Sequence, residues 1–553
     1  MPQSARYYPL LLLLLGAVFY LPFLGRVHLF DWDEINFAES AREMLVTGNY
    51  ARVQINFEPF WEKPPLFFWL QVTAMRVLGV GEYAARLPNA LIGIATLLTF
   101  FFVGKRLHGP QFGLLWAIGY LGALTPHLYF KTGIIDPTFN LFIFLGVCYV
   151  YEAVLRYGQA GAARYAALSG LFVGLAVLTK GPVGALLAGL TFVVVWVLAR
   201  LVRRFRPLLT LGHALLAIVV VLAVASAWFG LEVIQNGPWF LKEFITYQIR
   251  LFSTPDAGHG QPFYYHFVVV LLGCFPLSIF AIRYLYTQPD PRDFRLWMVA
   301  LFWVVMILFS IVKTKIVHYS SMAWFPVSYL AARHLHDLLT GRAQWSRWLT
   351  AGLIFVGGLL GVLLTALPVV GQYKMALIPY INDRFAVANL QAPVQWGGWE
   401  WIIGAVYLMV LLTAIARLAR HVRQKNQWNE TELPGPVWAL FGSTAVCLWL
   451  YLSLIVPNIE EYVQGAAVRF YETKQGQHVY AEPIGYKSYA QLFYLRKQPP
   501  VDPRTRQPGF LMNGPVDRPT FFITKITEAD QYRTNPNLVL DREENGYVMF
   551  RRR

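Results

Sequence analysis

Four clusters, three of them short runs, combine charged side chains with aromatic or proline residues, in a chain where charge is otherwise sparse. The first is Asp31-Trp32-Asp33-Glu34 and the second is Trp61-Glu62-Lys63-Pro64-Pro65. The third runs from Lys131 to Asp136-Pro137, and the fourth gathers Lys180, Arg250 and Lys313/Lys315 with His318 and Tyr319. Carboxylates can take a proton from an attacking group. Lysines and arginines in a water-poor cleft can grip a phosphate and stabilise the charge it gains as a leaving group. Each run also has a plainer reading. Asp33 and Asp136 stand where helices begin and could cap them, and Pro137 suits a first helical position. Lys63, held extended by the prolines after it, and Arg86 both resemble interfacial anchors. His318 reads as a packed or interfacial histidine. Asp31, Asp33, Glu62, His259 and His266 could converge on a divalent metal, but none shows a zinc-ligand spacing and the chemistry above requires no metal.

The elements that must position these residues are membrane helices. The chain is 56% hydrophobic and only 14% charged, with a mean hydropathy of +0.44, too apolar for a soluble enzyme of 553 residues. Its net charge of +16 fits basic residues held at an anionic cytoplasmic surface rather than nucleic acid. Cys148, Cys274 and Cys447 lie in apolar runs and make no disulfide frame. At about 20 residues per crossing, thirteen spans are expected near 7–25, 84–104, 110–127, 137–155, 163–180, 182–199, 208–227, 263–282, 295–312, 317–334, 348–370, 399–416 and 436–456. Placing the N-terminus inside makes every inner connection basic, from Arg6 and Lys105/Arg106 through Arg203/Arg204/Arg206 to Arg420/Arg423/Lys425. The connections 26–83, 228–262 and 371–398 and the C-terminus then lie outside the cytoplasm.

Within 26–83, Ile35, Ala38, Ala41, Met44 and Leu45 recur at helical spacing after Asp33, the pattern of a helix lying on a membrane surface. Pro65–Leu78 is apolar but short, and is expected to be interfacial or re-entrant. From 457 onward, alternating runs beginning at Gln477, Gln491, Thr520 and Tyr547 read as strands. The expected architecture is a mostly α polytopic membrane protein, with residues 1–456 as the catalytic part and 457–553 as a small α/β extramembrane domain.

Taken together, Asp33-Glu34-x-x-Phe37-Ala38-Glu39-x-Ala41-Arg42-Glu43-Met44-Leu45-x-x-Gly48 and Phe60-x-Glu62-Lys63-Pro64 resemble the GT-C class of polyprenyl-phosphate-sugar glycosyltransferases. Within it they are similar to the bacterial lipid A 4-amino-4-deoxy-L-arabinose transferase family. Further matches are Leu178-Thr-Lys-Gly181, Gln248-x-Arg250-x-Phe252, His259-x-x-Pro262-Phe263-x-Tyr265 and Phe309-Ser-Ile-x-Lys313-x-Lys315-x-x-x-Tyr319. The likeness runs from residue 7 to about 340. It implies that Asp33 and Asp136 flank the reaction centre and that Glu62 and Lys63 shape it. Lys180, Arg250, Lys313, Lys315 and Tyr319 would contact donor or acceptor phosphates, with Glu34 and Arg86 as further substrate-binding candidates. The implied enzyme is an inverting, monomeric inner-membrane glycosyltransferase with its site and C-terminal domain in the periplasm. It would move an aminoarabinose-type sugar from undecaprenyl phosphate to lipid A phosphate without a required cofactor. A protein or glycan O-glycosyltransferase using the same kind of donor is the alternative, and a transporter a more distant one.

Overall fold

The computed structural model describes residues 3–201, 207–254, 260–288, 290–424 and 432–553. His259, Arg203, Arg204, Arg206 and Lys425 lie outside these. Among the described residues, nine helices are long and apolar enough to cross a membrane, or ten if one bent pair counts as a single span. The protein is thus a multi-pass, mostly helical membrane protein. Every predicted span has a helical counterpart, but several are shorter or broken. The predicted 110–127 span divides into Pro110–Leu121 and Leu124–Tyr129. At Gly122, between them, the Phe441 backbone packs so closely that a Cβ would collide with it. The 263–282 span bends by 111° between Tyr265–Gly273 and Leu277–Tyr284, where Pro276 cannot continue the hydrogen-bond ladder. The 317–334 span opens as a 3-10 turn, Val317–Ala323, before the helix Trp324–Leu339.

The helix Asp33–Thr47 forms as expected and ends at Gly48, whose φ of 70° and N–H bond to the Met44 carbonyl close it. Its polar side is not open to water but is covered by the rest of the protein. Residues Glu34 to Met44 are all buried. Arg42 forms an ion pair with Glu39 at 2.6 Å and donates to the Lys497 carbonyl at 2.6 Å. The Phe57 N–H donates to Glu43 at 2.7 Å, and burial with the neighbouring Glu39 pushes the Glu43 carboxyl up to about 9.

The predicted boundary at 456/457 falls inside one continuous helix, Gly435–Thr473. Widened π turns at Tyr451–Ile455 and Glu461–Gly465 flank Pro457, so the proline bends the ladder without ending it. Beyond it lies a four-stranded sheet of β3 (Tyr480–Pro483), β4 (Thr520–Lys525), β5 (Leu538–Glu544) and β6 (Tyr547–Arg552), numbered after the short pair β1 (Gln54–Ile55) and β2 (Glu58–Pro59). The order is β3-β4-β6-β5, with β3 parallel to β4 and the other pairs antiparallel. Asn545 and Gly546, at φ 46° and 81°, make the tight turn of the β5–β6 hairpin. The run from Gln491, expected as a strand, is part of the short helix Ala490–Tyr494. Its apolar residues are buried on all sides, where alternation carries no face information.

This domain docks on the first connection. The Leu29 N–H donates to Tyr494 Oη at 2.6 Å, and Arg496 donates to the Val80 carbonyl at 2.7 Å. The Asp31 carboxylate accepts from Ser488 Oγ and, at 3.1 Å, from the Tyr489 N–H.

Candidate active site

Helix ends bring the candidate residues to one place. Asp33 and Asp136 are the first residues of Asp33–Thr47 and Asp136–Leu155, and Lys180 is the last of Ala162–Lys180. Lys63 precedes Leu66–Leu78, Arg250 lies in the last turn of Trp239–Ser253, and Tyr319 sits in the 3-10 turn. All six, with Glu34 and Glu62, line a polar cavity of about 550 Å³. Asp33 and Asp136, 103 positions apart in sequence, therefore share one chamber.

The side chains decide against simple capping. Neither helix has a side-chain cap bond at its start. The Asp136 carboxylate accepts from Lys180 Nζ at 2.6 Å, and Asp33 Oδ2 lies 3.3 Å from His318 Nε2. Glu62 accepts from Tyr247 Oη at 2.6 Å. Lys63 Nζ and the Arg250 guanidinium lie over the Tyr247 ring, 5.3 and 5.1 Å from its centroid, and Lys180 Nζ lies 5.3 Å from that of Tyr319. Burial holds the Lys63 ammonium below the usual lysine range, partly opposed by Glu62 and Asp33.

A second cavity, also about 550 Å³, adjoins the first and is mainly apolar, with Phe139, Leu186, Leu187, Phe244 and Ile249 among its walls. Lys63, Asp136, Lys180 and Tyr319 line both. Cations thus stand at the join of a polar chamber and an apolar groove, the arrangement required by a molecule with a phosphate head and a hydrocarbon tail.

Other candidates are placed differently. Arg86 donates to both oxygens of Glu34, at 2.7 and 2.8 Å, and to the Leu24, Val27 and His28 carbonyls. Burial alone would raise the Glu34 carboxyl, but Arg86 outweighs it and holds it low. Phe30 and Gly133 also donate to Glu34, so the pair fastens residues 24–34 to the helix Glu82–His108. Lys313 and Lys315 do not line either cavity. From the same segment Val312 lines the groove and Thr314 and Ile316 line the chamber, whereas Lys313 is exposed and Lys315 is buried outside both linings. Lys315 donates to the Val312 carbonyl at 2.8 Å. Among the described residues, no three His, Cys, Asp or Glu side chains are grouped to hold a metal. His266 is buried beside Tyr265 and Phe309, outside the chamber lining.

Sequence reasoning missed Tyr247, Lys487 and Tyr489, which line the chamber, and undervalued His318. The 487–489 segment arrives from the C-terminal domain, and no local pattern marks a loop that closes a distant site.

The fold and site resemble those of the GT-C class of multi-pass membrane glycosyltransferases. Residues 62–228 match the family described as dolichyl-phosphate-mannose-protein mannosyltransferase. Within the class, the chain resembles the undecaprenyl phosphate-alpha-4-amino-4-deoxy-L-arabinose arabinosyl transferases. It is 28% identical to that of Edwardsiella ictaluri over 75% of this chain and 77% of the relative. It is 27% identical to that of Erwinia tasmaniensis over 59% of each. The fold also matches the crystal structure of ArnT from Cupriavidus metallidurans bound to undecaprenyl phosphate, with a TM-score of 0.72 at 21% identity, covering 98% of this chain and 97% of that one.

Proposed function

We propose that this protein moves an aminoarabinose-type sugar from undecaprenyl phosphate to a phosphate of lipid A, acting at the periplasmic face of a bacterial inner membrane. One observation carries the reading: Lys63, Asp136, Lys180 and Tyr319 belong to both the polar chamber and the apolar groove. The donor phosphate would sit at that join, with its polyprenyl tail in the groove. The sugar C1–O bond to the donor phosphate breaks, and polyprenyl phosphate leaves with the electron pair. Lys63 and Lys180 stabilise that charge. An acceptor phosphate oxygen forms the new C1–O bond from the opposite face, giving inversion. A doubly ionised phosphate monoester needs no base, so Asp33 orients the sugar and stabilises its positive character. A hydroxyl acceptor would instead have Asp33 remove its proton. These residues supply the chemistry without a metal, and we expect a monomer.

The relatives' names support the undecaprenyl-phosphate aminoarabinose donor and the sequence resemblance suggests lipid A as acceptor, while the family profile, named for a protein mannosyltransferase, keeps a protein or glycan hydroxyl as the second reading. Mass spectrometry of lipid A from cells with and without the protein tests the first directly. An increment of one aminopentose is expected. Labelling of protein or glycan alone would replace it with the second reading.

A further inference from the structure

The chamber has a cationic side that the donor does not explain. Lys487 lines the polar chamber and not the apolar groove, unlike Lys63 and Lys180 at the join. Arg250 also lines only the chamber, but it shares the Tyr247 ring with Lys63 and so belongs to the donor side. Lys487 is contributed by the C-terminal domain. It is exposed, and its Nζ lies 4.6 Å from the Trp32 ring centroid and 5.4 Å from that of Tyr489. Where Lys180 is matched to Asp136, Lys487 stands beside two aromatic rings and hydrogen bonds with the Tyr489 hydroxyl.

This group is held in place. The Asp31 carboxylate receives Ser488 Oγ and the Tyr489 N–H, which pins the two residues after Lys487 to the residue before Trp32. Trp32 and Tyr489 meet edge to face at 5.5 Å, and Trp32 keeps 43% of its surface exposed. An indole open to a cavity offers a flat apolar face of the kind that packs on a sugar ring, and the ammonium beside it can hold an anion attached to that ring.

We propose that Lys487, framed by Trp32 and Tyr489, is the subsite for the acceptor's anionic group, a phosphate monoester on a saccharide, and that it selects phosphorylated acceptors over neutral ones. This rests on the reading that the acceptor is a phosphate-bearing lipid. The two phosphates are then held by separate cations, the donor's by those at the groove and the acceptor's by Lys487. Like charges are kept apart until the sugar passes between them.

The test uses the full chain in lipid nanodiscs with a polyprenyl-phosphate aminopentose donor and lipid A carrying or lacking its phosphates. Lys487→Ala should raise the KM for phosphorylated acceptor roughly tenfold to a hundredfold, the range for losing a hydrogen bond to a charged group. Its kcat, its donor KM and its binding of undecaprenyl phosphate should match the wild type, which also shows that the variant is folded. Lys487→Arg should restore most of the acceptor KM. An unchanged acceptor KM in Lys487→Ala, or an equal loss of donor binding, overturns the subsite and leaves the proposed function standing. If wild-type protein transfers only to protein or glycan hydroxyls, the proposed function itself fails and the subsite with it.

Discussion

The Lys180 ammonium lies 2.6 Å from the Asp136 carboxylate, joining the end of one membrane helix to the start of another. The pair sits where the polar chamber opens into the apolar groove. Removing both charges from bulk water is costly, and the cost is offset only while each faces the other. An arriving donor phosphate would compete with Asp136 for Lys180 and free the carboxylate toward the sugar.

Alanine at Asp33 or at Asp136 should therefore lower turnover by about a hundredfold or more, the scale of a positioned catalytic group, while membrane insertion stays normal. Single-turnover rates on purified variants check this. Retained turnover in both variants would remove these residues from the chemistry.

Lys63 gives a pH dependence. Its ammonium is destabilised by burial, so it loses its proton at a lower pH than an ordinary lysine. Donor affinity should be full while Lys63 is charged and should weaken as pH rises through its lowered pKa. Lys63→Arg should move that decline to higher pH, because arginine stays protonated. Donor KM measured against pH for the two proteins separates the cases.

The Glu34–Arg86 pair should behave as a fastening. Glu34→Gln or Arg86→Met alone leaves a buried charge without its partner, at a cost of about 3–5 kcal/mol. The double variant should lose less than the sum of the two. Thermal unfolding of purified variants reads this out, and additive losses would show that the two do not act together.

The groove can be tested by size. Leu186 lines it and is 47% exposed, so Leu186→Trp should narrow the tail's path without touching the polar chamber. Affinity for long polyprenyl phosphates should fall several-fold more than affinity for a short-chain analogue. Equal effects on both would place the tail elsewhere.

Much of this was legible in the sequence because charge in apolar surroundings is conspicuous. Asp33, Lys63, Asp136 and Lys180 each interrupt or end an apolar run, and all four line one chamber. Lys313 and Lys315 were conspicuous for the same reason, yet neither lines the chamber: Lys313 is exposed and Lys315 is buried against the Val312 carbonyl, a placement that charge alone does not reveal. Arg86 looked like a substrate ligand because its partner Glu34 is 52 positions away. The C-terminal contribution was hidden for a related reason: Lys487 and Tyr489 lie in a polar stretch where nothing distinguishes a site residue from a surface one.

The clasp between Asp31 and Ser488 spans 457 positions of chain. Synthesis makes Asp31 long before Ser488, so the chamber lacks its Lys487 wall until that later segment has emerged and docked. Closing the chamber is therefore a long-range event, because all nine candidate membrane spans among the described residues lie between the two residues that fasten it.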